Sequence, residues 1–331
     1  MNKKAPLLAT LILFTVFSAC AQKQDNNKDY DYDDEEEYFT YRTRNNYEGA
    51  IITAYVGSTT DLCIPAQIQN LPVTVIDMGA FLGKGLTSVS IPESVTLIDD
   101  SAFEENQLTS VIIPGSVTHI GNAAFTFNQL TSVSISDSVI HIDDYAFRVN
   151  RLTSLIIPDS VMHIGIQAFA HNQLTSVSIS DSVTFIDRFA FTGNQLTSVN
   201  IGNSVTHIGV GAFTNNQLTS VDIPGSVTNI EADVFSENQL INVIIPDSVT
   251  HIGKQAFSGN QLINVIIPNS VTHIDNWAFL GNQLADVSIP DSVTKIGYGA
   301  FMNNQLTSVS IPSHTEVDPD AFDPDVTVSR R

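Results

Sequence analysis

The sequence predicts a β-rich solenoid of stacked 22-residue coils, and three observations carry that expectation. A leucine recurs in register eleven times, every 22 residues from Leu86 to Leu306. Phenylalanine fills one column without a break from Phe103 to Phe301, and asparagine fills another from Asn106 to Asn304. The working unit reads LTSVxIPxSVTxIxxxAFxxNQ. A period of about 20–50 residues marks supersecondary units that must stack, because no single copy buries its own apolar face.

The first segment, residues 1–19, reads as a signal peptide. Lys3 and Lys4 precede an apolar stretch from Ala5 to Ala19 that is shorter than the ~20 residues a membrane-spanning helix needs. It ends Phe17-Ser18-Ala19-Cys20, which resembles a bacterial lipoprotein box with Cys20 as the lipid-modified first mature residue. Phe17 departs from the usual Leu. The alternative is an ordinary secretory signal cleaved near Ala19. Anchoring through several acyl chains is stable, since each buried CH2 contributes about 0.8 kcal/mol.

Residues 20–40 hold Asp25, Asp29, Asp31, Asp33, Asp34, Glu35, Glu36 and Glu37 against Lys23 and Lys28. This composition predicts a disordered acidic tether. A calcium loop is the alternative, but the acids lack its spacing and its Gly turn. Residues 41–85 read as an N-terminal β cap followed by a degenerate first coil: Ile64-Pro65, Val73 to Ile76, then Ala80-Phe81. Cys63 lies in the apolar run Leu62-Cys63-Ile64 and reads as a buried free thiol, which with a lipidated Cys20 leaves no intrachain disulfide.

Residues 86–312 are the repeats. Leu86, Val89 and Ile91 follow an L-x-x-L-x-L pattern with the intervening residues pointing the other way. Val95 and Ile98 form a second apolar pair, and Ala102-Phe103 complete the interior. Phe103, Phe125 and their successors are expected to stack as a spine, each ring worth roughly 3–5 kcal/mol against a cavity. Asn106, Asn128 and their successors are expected to form a buried ladder that satisfies backbone groups at the bend. Pro follows the Ile in eight of eleven coils and ends the strand. One column alternates Asp99, Asp143, Asp187, Glu231 and Asp275 with Gly121, Gly165, Gly209, Gly253 and Gly297. Three causes are open: left-handed backbone, which Gly and Asp tolerate, separation of like charges to roughly 10 Å, and duplication of a two-coil unit. Residues 313–331 read as the C-terminal cap, with Asp320-Ala321-Phe322 repeating the Ala-Phe step one residue early.

The stretch from Ile245 to Ile267 (with Ile-Asn in place of Thr-Ser) resembles the BspA-like leucine-rich repeat of bacterial cell-surface lipoproteins and proteins. The resemblance covers about residues 50–322. That family usually carries Cys or another small residue shortly before the repeat Leu; Asn-Gln stands there in this chain, and the unit is 22 residues instead of the commoner 23. The resemblance implies a leucine-rich-repeat solenoid with a parallel sheet on one face and short strand, turn or 3-10 segments on the other. It also implies surface exposure, adhesion to host matrix or plasma proteins, and contact with other bacteria. No binding residue of the family transfers, because the shared motif is structural.

Charge and chemistry narrow the function further. The net charge is −21, from 14 Lys and Arg against 35 Asp and Glu. Nucleic acid and anionic membrane surfaces depend on Lys and Arg, so neither is expected as a partner; the membrane contact is the lipid anchor alone. No nucleophile elbow, P-loop or zinc-protease motif occurs, so no enzyme activity and no cofactor is expected. Six of the eight His share one column, and His119, His141 and His163 fall in adjacent coils. A solvated imidazole row is the favoured reading there, with metal binding as the weak alternative. The positions flanking Ala-Phe differ in nearly every coil. Tyr145, Arg148, Phe189, Trp277 and Tyr298 are candidate protein-binding residues, since aromatics and Arg dominate interfaces; neutral drift on a tolerant face is the competing reading. A second surface is the flat Ser/Thr/Ile strand face. The expected function is protein–protein binding, as an adhesin for host matrix or plasma proteins or for other bacteria. The alternative is a structural or assembly scaffold of the envelope without host contact.

Overall fold

Inward and outward positions along each coil set where the chain bends. In a computed structural model of the protein, which describes residues 38–43 and 49–331, the apolar columns converge on one interior. In one coil, Leu174, Val177, Ile179, Val183, Ile186, Ala190 and Phe191 are 0–4% exposed. About 13 turns stack in this way. No helix occurs among the described residues.

Two rows of parallel strands run along the solenoid. The first apolar trio forms three-residue strands that pair mostly in twos, as Ser110–Ile112 with Ser132–Ser134 and Ser176–Ser178 with Ser198–Asn200. The more continuous ladder runs through the second apolar pair. It carries two-residue strands from Leu97–Ile98 through His119–Ile120, His141–Ile142, His163–Ile164 and Phe185–Ile186 to His207–Ile208. Its Ile side chains point in and the neighbouring column points out.

At the N-terminal end, β1 (Phe39–Thr43) and β2 (Ala50–Tyr55) form an antiparallel pair. Further along come β3 (Asp61–Cys63), β4 (Gln67–Ile68) and β5 (Leu71–Ile76), and β5 joins β2 in parallel. Phe39 and Tyr55 lie within 6.3 Å and 5.8 Å of the Phe81 ring and cover the end of the Phe stack. The signal segment and almost all of the expected tether lie outside the described residues. The tether boundary shifts, however: Phe39 and Thr40 belong to β1, and Phe39 is buried. The adjoining acidic run hid an aromatic that the first coil needs as a cover.

Cys63 also departs from the expectation. It is disulfide-bonded and half-buried, not a buried free thiol. Strand alternation is the reason, because Leu62 and Ile64 take the inward positions and turn Cys63 outward. The chain's other cysteine, Cys20, lies outside the described residues.

The long ladder breaks once. No pairing joins His207–Ile208 to Asn229–Ile230, where the ladder resumes and runs to Glu316–Val317. The coil after the break carries Val234 where its neighbours carry Ala. The rings on either side, Phe213–Phe235 and Phe235–Phe257, are 5.8 Å apart. Elsewhere from Phe81 to Phe322 the spacing is 5.0–5.6 Å. Extra methyls beside the spine therefore coincide with the opened seam.

At the C-terminal end, Thr327–Arg330 pairs in parallel with Ser308–Ile311. Arg331 donates to the Ile289 and Ser310 carbonyls, and Arg330 to that of Thr315. Both guanidiniums thus satisfy acceptors that the last coils would leave open.

Candidate functional site

The Ala-Phe turn builds its surface from an alternation of backbone hands. The residue before Ala-Phe and the second residue after it have positive φ in almost every coil, including Tyr145 (62°), Phe189 (56°), Trp277 (59°), Phe127 (55°) and Val149 (53°). A left-handed L-residue costs roughly 1–2 kcal/mol. Here the conformation aims every second N–H at the next coil. Tyr145 donates to Ile166, Phe147 to Ala168 and Val149 to Ala170, at 2.7–3.0 Å. This third ladder offsets the strain and does so with backbone atoms alone.

The Asn column works through its side chain. Asn194 Oδ1 accepts from the Leu174 N–H at 3.1 Å, and its Nδ2 donates to the carbonyls of Phe169 and Phe191 at 3.0 Å. Asn106 and Asn128 make the same three contacts, to Leu86, Phe81 and Phe103 and to Leu108, Phe103 and Phe125. All these groups are buried, and each Phe carbonyl within the stack accepts from two successive Asn, so losing one Asn there strands the Leu N–H at ~1–3 kcal/mol and leaves each carbonyl one donor. Phe103 and Phe125 are fully buried, with ring planes 9° apart at 5.2 Å.

The candidate binding residues fall into separate groups. Trp277 and Tyr298 meet edge to face at 5.5 Å, with Lys254 Nζ 5.1 Å from the Trp277 ring centre. Arg148 lies over the Phe127 ring at 5.6 Å and donates from Nε to Gln167, one coil beyond Tyr145. Six coils separate Tyr145 from Trp277, so these are two surfaces. Phe189 joins neither. Its ring covers Gly211, where an added Cβ would fall 2.3 Å from Phe189 Cε1. Trp277 covers Gly299, and His171 covers Gly193, in the same manner. A large side chain followed one coil later by glycine is thus a packing pair. The signal was legible as Phe189-to-Gly211 and Trp277-to-Gly299 in one column, but only the stack gives it meaning. Lys254 and Phe127 complete the two clusters; Lys254 was missed because a lone Lys in the repeat carried no pattern.

Titration reflects these contacts. Burial pushes the Asp233 carboxyl up, and nearby Lys254 opposes that shift. Burial, aided by Arg148, pushes His171 down.

The His column does not gather into a ligand set. His119 pairs with Asp143 at 2.8 Å, and His163 faces Asp187 at 3.7 Å. His141 tilts against His119 with ring centres 6.1 Å apart. Among the described residues no group of three or more His, Cys, Asp or Glu is arranged to hold a metal ion. The same geometry reassigns the alternating column. None of Asp99, Gly121, Gly165 or their successors has positive φ, so left-handed backbone is not its cause. A Cβ on Gly121 or Gly165 would lie 2.6–2.8 Å from the preceding coil's backbone. Glycine is there for close approach, and of the acids between, Asp143, Asp187 and Asp275 face His119, His163 and His251.

A solenoid of short parallel strands over a Leu, Ile and Phe interior, closed by bonded Asn, is a leucine-rich-repeat architecture. The family model described as the BspA type leucine rich repeat region, in six copies, matches residues 60–173, 141–263 and 206–327. The chain belongs to that family. Among solved structures, it is similar to a leucine-rich repeat protein from Bacteroides ovatus, with a TM-score of 0.54 and 19% identity over 92% of this chain and 100% of that one. It is also similar to a leucine rich cell surface protein from Faecalibacterium prausnitzii, with a TM-score of 0.51 and 24% identity over 88% and 93%. The pneumococcal vaccine antigen PcpA gives 0.52 and 18% identity over 88% and 86%. These likenesses establish the fold. No curated protein matches the chain.

Proposed function

We propose that this chain is an exported, lipid-anchored surface protein that binds other proteins through its turn face. Its role is then adhesion to host matrix or plasma proteins, or to other bacteria. The observation that carries the reading is the Trp277, Tyr298 and Lys254 cluster, an aromatic pair and a cation held together on a rigid row. Membership of the BspA type family supports a binding role over a catalytic one. Residues 1–19 serve as the signal peptide, Cys20 as the lipid attachment point, and the acidic stretch after it as a spacer. Among the described residues no helix is long and apolar enough to cross a membrane. In the second reading the protein is an envelope scaffold that never meets a host.

The test is antibody labelling of intact against permeabilised cells, with protease shaving as a cross-check. Labelling of intact cells keeps the adhesin reading; labelling only after permeabilisation leaves the scaffold. A surface-exposed protein is then screened against matrix and plasma proteins with Trp277→Ala/Tyr298→Ala as control. The anchor has its own test. Lipidation consumes the Cys20 sulfur as a thioether, whereas a bonded Cys63 needs a sulfur partner and the chain holds two cysteines. Intact mass spectrometry of detergent-extracted protein decides. An acylated mass keeps the anchor, and an unacylated chain that resists alkylation until reduced removes it.

A further inference from the structure

Two consecutive coils break the polar rule of the strand face. Other coils present Thr-Ser (Ala285-Asp286 once) followed by Ser, Asn or Asp, or by a single Ile at Ile112 and Ile156; these two carry Ile at both places and read Leu240-Ile241-Asn242-Val243-Ile244 and Leu262-Ile263-Asn264-Val265-Ile266. The leucines and valines are buried, while Ile241, Ile244, Ile263 and Ile266 are 40%, 68%, 53% and 76% exposed. Ile244 bridges Ile266 in parallel, and the Ile263 N–H donates to the Ile241 carbonyl, so the four side chains form one patch. Its apolar area is on the order of 400 Å², the size that marks an interaction site on a monomer. None of the four is needed by the interior, which is filled by the alternate residues.

The rim identifies the occupant. Exposed Asp222 stands one coil before the patch and exposed Asp286 one coil after it, with Asp247 and Asp291 along the following turn. A cleft of about 430 Å³ adjoins Ile266, lined also by Asn264, Asp286, Ser288, Asp291 and Arg331. The Arg331 charge is already paired with Asp291 at 3.0 Å. The surface therefore offers aliphatic area inside a fringe of carboxylates, of which Asp222, Asp247 and Asp286 make no ion pair among the described residues. An anionic lipid surface meets repulsion there, and a second copy brings another body of charge −21 with the same acidic rim. We infer that this patch docks a cationic protein segment whose aliphatic residues are interleaved with Lys or Arg. The inference rests on the reading of the chain as a protein-binding solenoid, and it adds a second site with its own partner chemistry.

The experiment uses the full chain and a fluorescent extended peptide of alternating Leu and Lys, with an alternating Leu and Glu peptide as control. Fluorescence anisotropy is expected to show binding of the first peptide only, weakened by salt. The variant Ile241→Thr/Ile244→Ser/Ile263→Thr/Ile266→Ser restores residues used in the other coils. It should keep its melting temperature and bind at least about ten-fold more weakly. Equal affinity of wild type and this variant overturns the site. So does sedimentation showing a dimer of the wild type that the variant loses, or uptake onto zwitterionic vesicles that the peptide does not displace. Trp277→Ala/Tyr298→Ala should bind the peptide as wild type does. Loss of peptide binding there, with the isoleucine variant unaffected, overturns the strand-face site and leaves the turn-face reading standing.

Discussion

The Asn column and the two left-handed columns share one turn, yet the first is uniform in ten coils and the others vary in nearly all. The difference lies in which atoms do the bonding. Asn spans two coils with its side-chain amide, so no other residue supplies its acceptor and donors in that place. The left-handed residues bond through their N–H groups, so the side chain is left to vary. Variability at Tyr145 or Trp277 is therefore permitted by the backbone, and a binding surface can be varied there without cost to the ladder.

The comparison gives an order of effects. Phe191→Ala should destabilise most, by about 3–5 kcal/mol, because the ring is fully buried in the stack; denaturant unfolding measures it. Asn194→Ala should cost about 1–3 kcal/mol by stranding the Leu174 N–H, while the Phe169 and Phe191 carbonyls keep Asn172 and Asn216 as donors. If Asn194→Ala proved as mild as Gln255→Ala, the contrast between side-chain and backbone bonding would fail. Gln255, at φ 56°, should instead gain about 0.5–1 kcal/mol on replacement by Gly, since left-handed strain is relieved while the N–H bond to Asn276 remains.

The seam sharpens the same point, because there a backbone ladder is lost while the Asn bonds persist: Asn238 still reaches Leu218 and Phe213. Hydrogen exchange should find the Glu231 amide less protected than that of Gly253, which donates to Ile230 at 2.8 Å. Val234→Ala should narrow that gap. The smallest effect concerns pH. The His171 pKa is lowered in the fold, so below its ordinary value near 6.5 the unfolded chain takes up the proton first. Stability then falls as pH drops through that range, and His171→Gln should flatten the dependence seen in thermal melts.

Much of the interior was legible because each column is averaged over many copies. Leu174, Ile186, Phe191 and Asn194 are read from periodicity alone. The alternating acids were legible as a pattern, but of the causes it left open the left-handed turn fails: Gly165 lacks positive φ, and its neighbour one coil earlier makes it a contact residue. The candidate set Tyr145, Arg148, Phe189, Trp277 and Tyr298 was legible as a list. Its division into two clusters and one packing ring was not, because the residues that touch lie 21 or 22 positions apart, in adjoining coils.

The sequence by itself determined the period, the direction each side chain faces and the columns that fill the core, since these follow from local alternation repeated in register. Only the tertiary structure decided the hand of the backbone at the turn, the pairing of His119 with Asp143 and the seam at Val234. Each of these depends on the volume and polarity of whatever the adjacent coil places against it, which a linear pattern does not contain.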